Sequence, residues 1–142
     1  TGAGFPGMVL KLARPDLRLT LLEATRKKVF FLRALSDRLR LPDVEIHHGR
    51  AGAPPFPGEG HPRPGAFDVV TARGVAPLPE LLPLLAPYRA PTGRLIAMKG
   101  PRGDEELAAG ERVCHELGLI CVERIAYTLP PPGGERLLLC FA

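Results

Sequence analysis

Glycine, carboxylate and guanidinium groups are spaced along this sequence as a site for a nucleotide-type ligand requires. Gly2, Gly4 and Gly7 fall within Thr1-Gly2-Ala3-Gly4-Phe5-Pro6-Gly7 at G-x-G-x-x-G spacing. Glycine admits backbone angles that other residues avoid and lets a ligand come close to the main chain. A loop of this kind joins a strand to a helix whose N-terminus faces the ligand. Alone, the spacing is a weak signal. Glu23 strengthens it: it lies nineteen positions after Gly4, near the distance at which a carboxylate meets a ribose hydroxyl. The alternative for Glu23 is a solvent-facing carboxylate at a helix start. Arg73 and Lys99 each follow an apolar run. There a cation can hold a ligand, or it can pair with a carboxylate or simply face solvent. Arg26, Lys27 and Lys28 open a helix, where cations oppose the macrodipole. Such a local conflict suits a phosphate-binding surface, with an exposed solvated face as the alternative. His47 and His48 have no third ligand spaced nearby, so no metal site is expected.

Those groups must be positioned by alternating helices and strands. Pro6 to Ala13 reads as a first helix closed by Pro15, with Lys11, Arg14 and Arg18 around its end. Leu17 to Leu22 reads as a strand with Glu23 just past its carboxyl end. Thr25 can cap a helix running to about Arg40, with Val29, Leu32, Leu35 and Leu39 on one face. Of the adjacent Phe30 and Phe31, one is expected in the core and one near the surface. Val44 to His47 is a short strand before a Gly49 turn. Residues 51–66 hold nine Pro or Gly in sixteen positions, so a surface insertion is expected. Phe67 to Thr71 reads as a strand of the kind buried in parallel sheets, with Asp68 structural. Leu78 to Tyr88 reads as a helix despite Pro79, Pro83 and Pro87. Gly93 to Met98 is a strand ending at Lys99-Gly100, and Asp104 to Leu117 is a helix stopped by Gly118. Leu119 to Thr128 and Arg136 to Phe141, joined by a Pro-Gly turn, should pair antiparallel.

This order gives an α/β fold: an open, mostly parallel sheet with helices on both faces and an antiparallel hairpin at its end. Ligands of such sheets lie at the carboxyl ends of the strands, where the Gly loop, Glu23, residues 48–52, Arg73 and Lys99 all fall. The length of 142 residues suits one domain with a sizeable core. No apolar run is long enough for a transmembrane helix, and no signal peptide is visible. Cys114, Cys121 and Cys140 read as reduced cytosolic thiols rather than a disulfide frame. The net charge of +4 permits an anionic partner without requiring one. The chain starts at Thr1, so the strand that should lead into the Gly loop is absent, and an N-terminally truncated domain is expected.

Several pieces, in order, resemble one family. They are residues 1–7, Leu-Glu-Ala-Thr-Arg-Lys-Lys-Val at 22–29, His-Gly-Arg-Ala at 48–51, Ala-Arg-Gly-Val-Ala-Pro-Leu at 72–78, Ala-Met-Lys-Gly-Pro at 97–101 and Gly-Glu-Arg-Leu at 134–137. Together they resemble the RsmG (GidB) family of bacterial ribosomal RNA methyltransferases, over nearly the whole chain. The resemblance implies a class I methyltransferase (Rossmann-like) fold, S-adenosylmethionine as cofactor, and methylation of N7 of a guanine in 16S rRNA. It implies that Gly2, Gly4 and Phe5 lie under the cofactor, that Glu23, Ala24 and Thr25 hold its ribose side, and that Ala51 and Gly52 border the adenine. It implies that Arg73 lies beside cofactor and target base as the residue needed for turnover. Arg26, Lys27, Lys28, Lys99 and Arg136 are the expected RNA contacts. The expected partner is 16S rRNA or a small-subunit precursor, met by a monomer in the cytoplasm. The sequence departs from the family pattern in three places. It lacks the Asp-x-Gly that precedes the loop, it has Gly52 where the family usually has Glu, and residues 54–65 are longer than usual. The rival readings are a dinucleotide-binding oxidoreductase, which shares the Gly loop and the acid, and a non-catalytic rRNA-binding module.

Overall fold

Apolar residues at strand and helix spacing build two compact units, Thr1–Arg63 and Pro64–Ala142. The structure, a computed structural model, describes residues 1–52 and 61–142. Half of the surface insertion expected at 51–66 therefore lies outside the described residues, as does 54–60 of the longer stretch at 54–65.

In the first unit, α1 (Gly7–Ala13) leads to β1 (Leu19–Glu23), α2 (Arg26–Arg38) and β2 (Val44–His48). β1 and β2 pair in parallel, from Leu19 opposite Val44 to Glu23 opposite His48. β1 starts at Leu19 rather than Leu17, because the Leu17 carbonyl is taken by the Lys11 ammonium. It also extends one residue further than expected, so Glu23 is its last residue. Met8, Leu21 and Leu32 form the buried centre, flanked by Leu19, Leu35, Val44 and Ile46. Gly7 allows this packing: a Cβ there would stand 2.7 Å from Leu21 Cδ2. On α2, Val29 and Leu32 are buried as expected, but Ser36 rather than Leu39 completes the face. Leu39 lies past the last helical turn and is 40% exposed. Thr25 occupies the N-cap position without a side-chain capping bond. Phe30 and Phe31 are both exposed, because neither falls on the row of Val29, Leu32 and Ser36.

In the second unit, β3 (Phe67–Arg73), α3 (Leu78–Leu85), β4 (Arg89–Lys99), α4 (Gly103–Ala109), α5 (Glu111–Glu116), β5 (Cys121–Leu129) and β6 (Gly134–Phe141) follow in turn. The strand order is β3-β4-β6-β5, with β3 and β4 parallel and β6 antiparallel to both its neighbours. The expected terminal hairpin is present, and its second strand is the one that joins the sheet. β4 begins at Arg89, but its regular pairing with β3 covers Arg94–Met98, after an irregularity between Phe67 and Val69. β3 is not buried on both faces: Val69 is 51% exposed, while Ala72 is buried.

α3 tolerates its prolines in a physically sensible way. Pro79 stands in the first turn, where no intrahelical N–H is needed, and Pro83 is the one interior proline. A 3₁₀ turn over Ala86–Tyr88 carries Pro87. Leu78, Leu81, Leu82 and Leu85 form one buried stripe against Leu95, Leu139 and Phe141. The single helix expected over 104–117 is instead two, α4 and α5, divided at Gly110. The Gly110 N–H is shared between the carbonyls of Glu106 (2.9 Å) and Leu107 (3.1 Å), and glycine is a poor helix former. Gly118, at φ +63°, stops α5 as expected.

Candidate functional site

The Gly loop and the end of β1 meet through one carboxylate. Glu23 Oε2 accepts the Gly2 N–H at 2.7 Å and the Thr1 ammonium at 3.2 Å, while Oε1 accepts the Thr25 N–H at 2.8 Å. Thr1 Oγ1 donates to the Leu22 carbonyl at 2.9 Å, and the Gly49 N–H donates to the Glu23 carbonyl at 3.0 Å. Glu23 is only 6% exposed. Burial alone would push its pKa up. The N–H groups of Gly2 and Thr25 and the Thr1 ammonium outweigh that and hold it at about 2. A carboxylate offers about four lone-pair positions. Three are engaged, so one on Oε1 remains for a further donor.

The loop backbone is tightly packed at Gly4 and open at Gly2. Gly4 adopts φ +93° and is buried, and a Cβ there would meet Met8 Cγ at 2.6 Å. Gly2 donates to Glu23, yet the space its Cβ would occupy is clear. Phe5, next in the loop, is 46% exposed. At the end of β2, His48 Nε2 lies 3.1 Å from the Ala24 carbonyl oxygen, which ties the Glu23–Ala24 corner to β2. Ala51 and Gly52 follow this corner, both half-buried, and no atom of the described residues stands within 4 Å of a Cβ built on Gly52. The first unit thus brings together Gly2, Glu23 and Thr25 by direct bonds. Ala24 joins them through His48.

Arg26, Lys27 and Lys28 are all exposed on the first turn of α2, which has no acidic residue. The Arg26 guanidinium stands over the Phe30 ring, 5.8 Å from its centroid. In the second unit, Arg73 is the last residue of β3 and is exposed, while its neighbour Ala72 is buried. Arg136 is half-buried on β6, opposite Tyr127, and lines a recess of about 250 Å³ beside the Asp104–Arg124 ion pair.

Lys99 departs from its expected place among the RNA contacts. It is 9% exposed, donates to the Ala76 carbonyl at 2.7 Å and pairs with Glu106 Oε2 at 2.7 Å. The same Glu106 oxygen accepts the Leu78 N–H at 2.8 Å. Burial pushes the Glu106 carboxyl up, but Lys99 and the Leu78 N–H hold it below the ordinary carboxylate range. Lys99 thus ties the starts of α3 and α4 to the end of β4. Lys11 was also not singled out for the task it performs. It is 1% exposed, and its ammonium donates to the Pro15 carbonyl at 2.8 Å and to the Leu17 carbonyl. Its place in the last turn of an amphipathic helix was the available signal.

The described architecture is shared with methyltransferases. A S-adenosylmethionine-dependent methyltransferase from Aquifex aeolicus superposes with a TM-score of 0.66 at 18% identity, covering 99% of this chain and 77% of its own. The B. subtilis tRNA methyltransferase TrmK does so with a TM-score of 0.69 at 12% identity, covering 99% and 56%. The fold is thus that of the class I methyltransferases. The family model GidB, described as rRNA small subunit methyltransferase G, matches residues 1–126, and the chain belongs to that family. Proteins named ribosomal RNA small subunit methyltransferase G from Lacticaseibacillus paracasei and Deinococcus radiodurans are 41% and 42% identical to it, over 97% and 98% of the chain. The chain spans about half the length of these relatives, 56% and 54%. Among the described residues, no helix is long and apolar enough to cross a membrane.

Proposed function

We propose that residues 1–142 act within one S-adenosylmethionine-dependent methyltransferase domain that methylates N7 of a guanine in 16S rRNA. The observation that carries this is the Glu23 carboxylate, buried, ionised and bonded to the Gly2 and Thr25 N–H groups at a strand end, in a chain of the GidB family. Family membership favours this reading over the dinucleotide-binding oxidoreductase. The open space at Gly2 and the remaining Oε1 lone pair of Glu23 fit a nucleoside. Gly2, Gly4 and Phe5 would lie under the cofactor, Glu23 with Ala24 and Thr25 would hold its ribose hydroxyls, and Ala51 and Gly52 would border its adenine. When bound, S-adenosylmethionine supplies an electrophilic methyl group on a sulfonium.

Guanine N7 carries its own lone pair, so no side chain need remove a proton before attack. The protein's task is then to hold acceptor and donor in line, which can supply roughly 7–11 kcal/mol of the barrier. Arg73 is assigned to the target guanine, through O6, a phosphate or the cofactor. A bond to N7 would block the nucleophile. Arg26, Lys27, Lys28 and Arg136 are assigned to rRNA phosphates, in a monomeric cytoplasmic enzyme acting on 16S rRNA or a small-subunit precursor.

The test is a methyl-transfer assay on rRNA, using protein extended to the length of its relatives. Arg73→Ala should lower the rate at saturating cofactor by more than its change in folding stability, read by urea unfolding, can account for. A wild-type rate in that variant would remove Arg73 from catalysis. A wild-type protein that binds rRNA but transfers no methyl group would leave only the non-catalytic module.

A further inference from the structure

Two adjacent phenylalanines on the solvent side of α2 need an occupant. Phe30 is 56% exposed and Phe31 50%, on a helix whose buried row is Val29, Leu32 and Ser36. Residues three, four and seven apart share a helix face. By that rule Phe30 and Phe31 lie alongside Arg26, Lys27, Lys28, Ala34 and Arg38. The aromatic face carries four cations, Arg26, Lys27, Lys28 and Arg38, against one carboxylate, Asp37. Arg33 is turned away, its guanidinium 3.4 Å from the Ile46 carbonyl oxygen of β2.

Resting on the RNA-methyltransferase reading, we infer that this face of α2 is a stacking platform for single-stranded RNA. Unstacked bases lie on Phe30 and Phe31, and Arg26, Lys27 and Arg38 carry the adjoining phosphates. The charge favours a polyanion, and the flat aromatic pair favours one that offers free base faces. A duplex keeps its bases stacked internally and would meet only the cations. The Arg26 guanidinium, already over the Phe30 ring, extends the planar surface and places a positive charge beside it. The platform adds Arg38 to the basic cluster.

The test uses the protein at the length of its relatives. Binding of a labelled single-stranded RNA and of a duplex is measured by fluorescence anisotropy across a salt series. Phe30→Ala with Phe31→Ala should weaken single-strand binding by roughly 5- to 150-fold per stacked base lost. The salt slope, the duplex affinity and the melting temperature should stay unchanged. Lys27→Ala with Arg38→Ala should lower the single-strand salt slope by about 0.7 per lost contact. Wild-type single-strand affinity in the double-Phe variant overturns the inference. So does an equal loss on duplex, or a fall in melting temperature, which would mean that another part of the protein covers the rings. Lost binding to anionic vesicles with RNA binding intact would assign the face to a membrane surface and also overturn it. If the Phe residues matter for RNA binding while the wild-type protein transfers no methyl group, the platform stands and the methyltransferase reading falls. Methyl transfer with normal RNA binding by the Phe variant gives the converse.

Discussion

Glu23 ends β1 in one unit and Lys99 ends β4 in the other, and both are buried charges at the carboxyl end of a strand. They are satisfied differently. Lys99 is matched by an opposite charge, Glu106, and by the Ala76 carbonyl. The bonds of Glu23 come chiefly from main-chain N–H groups of the two turns beside it. The closed ion pair in the second unit welds helices to a sheet. The carboxylate in the first unit holds a loop while keeping a lone pair and an open side. A buried charge at a strand end is therefore not by itself a sign of function. What distinguishes the two is the kind of partner: a side-chain carboxylate with a carbonyl for Lys99, and main-chain N–H groups for Glu23.

The largest expected effect breaks the closed member of this pair. Lys99→Ala strands the Glu106 carboxylate and the Ala76 carbonyl, and breaking a buried pair costs roughly 3–5 kcal/mol. Partial exposure of Glu106 places the expected loss near about 3 kcal/mol. Urea unfolding should show it, and Lys99→Met combined with Glu106→Gln should recover part of it. A Lys99→Ala variant of unchanged stability that loses RNA affinity would return Lys99 to the RNA contacts.

Glu23→Ala should weaken S-adenosylmethionine binding by roughly 1–3 kcal/mol, read by calorimetry on protein of the relatives' length. Unchanged affinity would make Glu23 a loop fastener only. The same residue sharpens the comparison through pH. Its folded pKa, about 2, lies below the ordinary value of 4.5, so its ionised form favours the folded state. That stabilisation is fully present above about pH 4.5 and is lost as pH falls towards about 2. Urea midpoints taken across this window should fall with acid, and Glu23→Gln should flatten the part of the fall that belongs to Glu23. The smallest effect is a gain. A Cβ at Gly52 meets open space, so Gly52→Glu should fold normally and add one hydrogen bond to the adenine side, about 1 kcal/mol of cofactor affinity. Equal affinity in the two proteins would place Gly52 away from the adenine.

Much of this was legible in the sequence because it depends on local spacing. The face of α2 through Val29 and Leu32, the antiparallel pairing of β5 with β6, and the adjacency of the Gly loop and Glu23 follow from residues close in the chain or from a motif of fixed spacing. What was not legible depends on distant partners. The burial of Lys99 requires Ala76 and Glu106, 23 positions back and seven positions on, brought together by α3 and α4. The insertion of β6 between β4 and β5 is a choice among pairings that periodicity leaves equal. The division of α4 from α5 turned on whether Gly110 would be carried through a helix or would end one. The joint exposure of Phe30 and Phe31 was hidden by the expectation that one of two adjacent aromatics belongs inside.

The bonds from the neighbouring turns to Glu23 bear on how the sequence can drift. The N–H groups of Gly2 and Thr25 belong to the main chain, so the identity of the side chain at position 25 is no part of the contact. Thr25 makes no capping bond either. Exchanging it for serine, alanine or asparagine would leave the donor in place, and only proline would delete it. The grip on this carboxylate is thus encoded in backbone geometry, and letters beside Glu23 can vary among descendants of this sequence without loosening it.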